Sequence, residues 1–269
     1  MECLMRQLAP YAVIYLLAIA CAAGLATATQ AAEAPLAVQI GYLGYRPDPG
    51  PLLSNVIPEP TDAGQRGAEL AIIDSNSTGA FLNQRYSLTT ATADSPDALL
   101  AAAQAQHAQG LRLFVVNAPA ASLRQLSAAL PDSLLFNAGS PDDSLRSTDC
   151  LGNVLHTLPS RAMLADALAQ FLVVRKWQKA LLIVGPTEDD QAYAAALRRA
   201  AKRFGVHLVA EKAWRFDNDQ RRSAQADMPL FTQTAEYDVV LVADERGDFG
   251  EYVPYQTWYP RPVAGTQGL

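Results

Sequence analysis

A chain of 269 residues holds one large domain or two modest ones, and its 50% hydrophobic and 18% charged content supplies a core and excludes a disordered chain. Against 27 acidic residues stand 21 basic ones, a formal charge of −6, so the basic footprint that neutralises phosphates is missing and no nucleic-acid partner is expected. Three cysteines and three histidines make neither a disulfide framework nor a His- or Cys-rich metal centre, and no metal or other cofactor is expected.

Arg6 is followed by no charged residue until Glu33, residues 8–25 are apolar or small, and Ala-Thr-Ala-Thr-Gln-Ala-Ala comes next. A basic start, an apolar middle and small residues at a cut site read as a secretory signal peptide over 1–31, cleaved after Ala31 or Ala28. A retained membrane anchor is the alternative, but Pro10 and Gly24 shorten the usable helix. Lipid attachment at Cys21 is a weaker match, with Ala18 where such signals usually carry Leu. Export removes Cys3 and Cys21 and leaves Cys150 alone, so stability has to come from the core. Cys150 itself reads as a small buried hydrophobe rather than a nucleophile.

Residues 38–45 alternate and end in glycines, as a strand entering a loop does. Five prolines in 46–60 exclude a helix there. Thr61 or Asp62 caps a helix over 63–74, and 85–93 alternates as a strand. Ser95-Pro96-Asp97 starts a helix that runs to Gln109, where Gly110 supplies a left-handed stop. The continuous apolar run 111–116 reads as a parallel strand covered on both faces. There follow a helix over 120–130, a strand at 134–137 and an extended connector at 154–157. A helix at 161–175, strand 180–184, helix 190–204, strand 206–213 and strand 238–243 complete the series. Strands alternating with helices specify an α/β architecture with parallel sheets. The pattern occurs twice about an irregular stretch at 138–152. Two doubly wound, Rossmann-like lobes joined by a hinge are therefore expected, at 33–151 and 152–269.

Catalytic signatures are missing. No G-x-G-x-x-G follows a strand, and neither a phosphate-binding P-loop nor a G-x-S-x-G elbow occurs. His107, His156 and His207 have no Ser or Cys partner suggested by the sequence and read as structural or surface residues. Trp177, Trp214 and Trp258 are scattered, as core residues are. The acidic group Asp244, Glu245, Asp248 and Glu251 follows a strand at the edge where open α/β sheets bind ligands. It reads as a receiver for a cationic group or a hard metal, or as a solvated loop paired with Arg246; calcium-loop spacing is absent.

The order of elements behind an exported leader resembles the type I periplasmic solute-binding proteins of ABC transporters, the branched-chain amino-acid type. The likeness is carried by VQIGYLG (38–44), AGQRGAELAIID (63–74), LFVVNA (113–118), LLFNAGS (134–140) and KALLIVG (179–185). More narrowly, PLFTQTAEYDVVLVADERGDFGEYVPYQTW (229–258) and RPVAGTQG (261–268) look like the subgroup associated with PQQ-dependent alcohol catabolism.

The resemblance implies a type I periplasmic-binding-protein fold of two hinged lobes. It implies a small polar solute, amino-acid-like or related to alcohol catabolism, held in the interlobe cleft, membrane permease subunits as partners, a periplasmic location and no enzymatic activity. A sensor of the same fold docking a signalling protein is the alternative, and a metal-dependent enzyme built on Asp244, Glu245 and Asp248 a more distant one. Carried over residue by residue, Asn117 and Ala118 after the third strand and Ala138, Gly139 and Ser140 after the fourth are candidate ligand contacts. The backbone N–H groups and the Ser140 hydroxyl there would hold a carboxylate, being donors with nothing else to satisfy. On the second lobe Gln191 stands near the helix start, and Asp244 or Glu245 would face an α-amine. The sequence departs from the family in the few hydroxyls at Asn117-Ala118-Pro119-Ala120, in Gln191-Ala192 where Tyr-Gly is usual, and in the missing cysteine pair. It also ends where the family crosses back to the first lobe, so that lobe is expected to be C-terminally incomplete and to expose an apolar face.

Overall fold

The computed structural model of the protein describes residues 34–48, 60–216 and 219–265. The leader at 1–31, Cys21, most of the proline-rich loop and the last residues of the 261–268 motif lie outside them. In chain order the elements are β1 (Leu36–Tyr45), α1 (Gln65–Gly79), β2 (Gln84–Ala93), α2 (Pro96–Ala108), β3 (Leu113–Asn117), α3 (Ala120–Ala129), β4 (Leu134–Asn137) and β5 (Val154–His156). Then follow α4 (Arg161–Val174), β6 (Lys179–Val184), α5 (Glu188–Phe204), β7 (His207–Ala213), α6 (Gln220–Phe231), β8 (Val239–Ala243) and β9 (Val263–Gly265). Short 3-10 turns lie at Ala80–Leu82, Asp143–Arg146 and Gly250–Tyr252.

A small unit made of 34–38 and 71–87 is tied within itself. The Leu36 N–H donates to the Asn83 carbonyl at 2.9 Å, and the Asn76 side chain bridges the backbone N–H and C=O of Tyr86. Its Ile73, Phe81 and Leu82 are exposed.

The larger unit, 39–70 with 88–269, carries two sheets of order β2-β1-β3-β4-β5 and β7-β6-β8-β9. All the ladders β1–β3, β3–β4, β4–β5, β6–β7, β6–β8 and β8–β9 are parallel. In the second sheet alternate residues serve two cores. Ala180, Leu182 and Val184 with Val239, Leu241 and Ala243 meet α4 and α5, whereas Leu181, Ile183, Val240 and Val242 meet α6 and the turn after β8. A strand covered twice has to be apolar at every position, which is why KALLIV and VVLVA carry no polar alternation.

The first sheet differs from the sequence expectation. Phe114, Val116 and Leu135 are fully buried in a core with α2 and α3, but Leu113, Val115, Leu134 and Phe136 on the opposite face are only half-buried. An uninterrupted apolar run does not reveal which of its faces is covered. The segment at 154–157, expected as a connector, is an edge strand paired with β4 through Leu135 and Val154. Helix α6, in a stretch to which the sequence reading assigns no element, starts on Asp219, whose carboxylate accepts the Arg222 N–H at 3.0 Å. Cys150, expected to be buried, is exposed.

Helix starts follow the expected chemistry. Ser95 accepts from the Ala98 N–H before Pro96 and Asp97. Thr187 and Asp190 form a reciprocal capping box at the head of α5, three acids fill its first turn, Lys202 and Arg203 its last, and Gly205 at φ 78° ends it.

Within β1, Gly41 stands opposite Phe114, and a Cβ there would lie 2.6 Å from the buried ring. Gly41→Val is expected to lower the unfolding free energy by about 1–3 kcal/mol, read by denaturant titration. Unchanged stability would contradict this packing.

Candidate functional site

Strand order reverses between β1 and β3 in the first sheet and between β6 and β8 in the second. Loops leaving the carboxyl ends of such strands diverge and leave room for a ligand. The sequence-predicted residues all lie on these ends.

At the first sheet the loops close tightly on one another. Asn117 donates from Nδ2 to the Tyr42 hydroxyl at 3.3 Å. Gly64 has φ +80°, and a Cβ on it would stand 2.6 Å from that hydroxyl and 2.7 Å from Asn117 Nδ2. A Cβ on Gly139 would come within 2.5 Å of both the Ala118 nitrogen and Asn117 Oδ1. Only glycine admits these approaches. The structure thus brings Asn117, Ala118 and Gly139 together, with Ala118 and Ser140 buried.

The N–H groups expected to await a carboxylate are already engaged. Asn137 is wholly buried, and its Oδ1 accepts from Gly139 at 3.2 Å and Ser140 at 2.9 Å. The Ala138 N–H donates to the Val116 carbonyl at 2.9 Å. Asn137 Nδ2 donates to the Ser140 carbonyl and lies 3.0 Å from His156 Nδ1. Burial, with the nearby Arg146 charge, holds the His156 pKa below its ordinary value, which favours the neutral ring as acceptor. The reason for the difference is that buried N–H groups require acceptors, and a side chain two or three residues upstream reaches them first.

The second sheet repeats the device with carboxylates. Asp190, 2% exposed, accepts the Thr187 N–H at 3.0 Å and the Glu245 N–H at 2.7 Å, tying the loop after β6 to the loop after β8. Asp244, equally buried, accepts the N–H groups of Asp248, Phe249 and Gly250 at 2.7–3.0 Å. Of the two acids expected to face an amine, Asp244 or Glu245, Asp244 is the one whose carboxylate is engaged by the amides of the 244–250 turn. Gln191 donates from Nε2 to the Gly185 carbonyl at 2.9 Å, at the head of α5 as expected.

Glu245 has a side-chain partner that the sequence reading missed. Arg161, 7% exposed, stands in the first turn of α4, with Nη2 2.5 Å from Asp189 Oδ1 and Nε 3.3 Å from Glu245 Oε2. Its backbone N–H donates to the Pro141 carbonyl at 2.9 Å, and the Ala162 N–H to Asp143 Oδ1, so the loop after β4 is fastened to the same helix end. A cation in a helix's first turn opposes the helix dipole, and that local misfit was the available signal that an acid lay opposite it. Burial raises the Glu245 pKa, opposed by the Arg161 charge and reinforced by Asp189 and Asp190. Burial, and next the Glu245 charge, push the Tyr193 phenol up to about 12, so it stays protonated; it donates to the Gly265 carbonyl at 3.4 Å. Among the described residues no group of three or more His, Cys, Asp or Glu is placed to hold a metal ion, and no helix is long and apolar enough to cross a membrane.

A carboxyl whose pKa is higher in the folded than in the unfolded chain takes up a proton on folding, so its ionisation weakens the fold as pH rises through that interval. Glu245→Gln is therefore expected to match the native stability at pH values where Glu245 is protonated and to exceed it at neutral pH. Denaturant titration across that range checks this, and a variant less stable at neutral pH than in acid, relative to the native chain, would contradict it.

No protein-family model matches the sequence, and no curated protein is significantly similar to it. Solved structures are similar. An ABC transporter substrate-binding protein from Desulfitobacterium hafniense in complex with Leu aligns at 15% identity and TM-score 0.62, covering 86% of this chain and 66% of that one. A leucine-, isoleucine-, valine-, threonine- and alanine-binding protein from Brucella ovis aligns at 16% identity and TM-score 0.60, covering 86% and 60%. A branched-chain amino acid ABC transporter periplasmic ligand-binding protein from Burkholderia xenovorans aligns at 17% identity and TM-score 0.65, covering 85% and 60%. This chain therefore spans 60–66% of the length of these structures. The likeness at such identity is one of fold, and the fold it shows is the type I periplasmic-binding-protein fold.

Proposed function

We propose that the protein is an exported binding protein. It takes a small polar solute, amino-acid-like or derived from alcohol catabolism, at the carboxyl edges of its two sheets and passes it to the membrane subunits of an ABC transporter, with no bond made or broken. The observation that carries this reading is the likeness of over four-fifths of the chain to structures described as ABC-transporter substrate-binding proteins, one of them in complex with Leu. The lobes proposed from the sequence, 33–151 and 152–269, are kept with one adjustment. Because β5 pairs with β4, we place the crossing between His156 and Arg161 in this proposal.

In this reading Asn117 and Ser140 line the first-lobe side, and Gln191 and Glu245 the second. Glu245 meets the cationic end of the solute, while Arg161 sets how much of its negative charge that end receives. Fixed dipoles and a partly buried carboxylate bind without reorganising, which is how a closing cleft holds a polar solute against water.

Isothermal titration of the full chain against amino acids, short carboxylic acids derived from alcohols, and simple amines tests this. At least one class is expected to bind, with Glu245→Ala weakening an amine-bearing solute by about tenfold or more, as loss of a charged contact does. No heat and no thermal stabilisation with any class would refute the reading.

A further inference from the structure

Helix α4 is buried on one side against α5, with Asp166 held by Arg199 at 2.9 Å and Arg203 at 2.7 Å. Its other side is apolar and faces outward. Met163 is 55% exposed, Leu164 40%, Phe171 52% and Val174 79%. At 100° per residue Met163, Ala167, Gln170 and Val174 fall on one line along the helix, with Leu164 and Phe171 beside it. The line runs for about 16 Å at 1.5 Å per residue. Apolar exposure on this scale, on the order of 400 Å², matches the largest patch of a typical monomer, a patch that is often functional.

The charges flanking the stripe say what fits it. Arg161 touches Asp189, so the N-termini of α4 and α5 lie together. Exposed Glu188 and Asp189 sit at that end. Exposed Arg175, Lys176, Lys202 and Arg203 sit at the other. A surface that is acidic at one end, basic at the other and apolar between complements itself when turned end for end.

We propose that the α4 face is a self-association surface on which a second copy of this chain docks through a two-fold axis, the two α4 helices antiparallel. The axis passes between Ala167 and Gln170, where small and flexible side chains let the helices approach. Met163 of one copy then lies against Val174 of the other. Glu188 at each N-terminal end meets Arg175, Lys176 and Lys202 at the partner's C-terminal end. An isologous contact of this kind closes on itself and makes a dimer rather than a filament. A pair of such faces covers roughly 1,000 Å² in all, the low end of specific interfaces, so the dimer is weak and concentration-dependent.

Sedimentation equilibrium of the full chain across the micromolar range is the test, with circular dichroism confirming that each variant is folded. A monomer–dimer equilibrium is expected, weakened about tenfold or more by Val174→Glu, as for a central interface residue. Glu188→Lys and Lys202→Glu are each expected to weaken it, and the two together to restore it. A chain that stays monomeric throughout, a dimer indifferent to Val174→Glu, or a charge exchange without recovery would each overturn the proposal. Protection of Val174 in the monomer, by another segment of the chain or by a different protein, would overturn it too.

Discussion

Much of this structure rests on one kind of contact: a buried side-chain oxygen accepting the backbone N–H groups of a loop at the carboxyl end of a parallel strand. Asn137 does this after β4, Asp190 after β6 and Asp244 after β8. Loops that leave buried strands carry N–H groups that water cannot reach, and each left unpaired costs about 1–3 kcal/mol. A single carboxylate taking two or three of them fixes a turn that no ladder could hold. Asp190 does more, because its two oxygens serve different loops and so set the distance between them.

Arg161 extends this framework in the other direction. Its backbone is held by the loop after β4, and its guanidinium reaches Asp189 and Glu245 beyond β6 and β8. The result is a chain of fixed groups from the first sheet's edge to the second's, ending at Glu245. The guanidinium keeps Asp189 as its partner when Glu245 is neutral, so the buried charge stays paired and Glu245 is the acid whose ionisation is costly.

The alternation of strands and helices was legible because parallel strands covered twice must be apolar throughout, as KALLIV and VVLVA are. Helix α5 was read too, though from 190; its true head is two residues earlier, where Thr187 and Asp190 stand at capping-box spacing. What escaped had physical causes. A three-residue edge strand such as β5 carries too little pattern to separate from a connector. Helix α6 was assigned no element in the sequence reading; it carries Pro229 in its last turn. The half-covered face of β3 looks the same in sequence as a fully covered one. Asp244 and Glu245 are adjacent acids at the same strand end, and only the direction of each side chain separates a turn-forming group from a site-facing one. The need of nearby N–H groups for acceptors was the missing consideration.

Native-state hydrogen exchange measured by NMR tests the central contact most directly, at the amides of Ser140, Thr187, Glu245, Phe249 and Gly250. The account predicts protection of these loop amides approaching that of the β6 and β8 ladders, because they are bonded to buried acceptors and open only with the surrounding core. Exchange at the rates of exposed loops would contradict it.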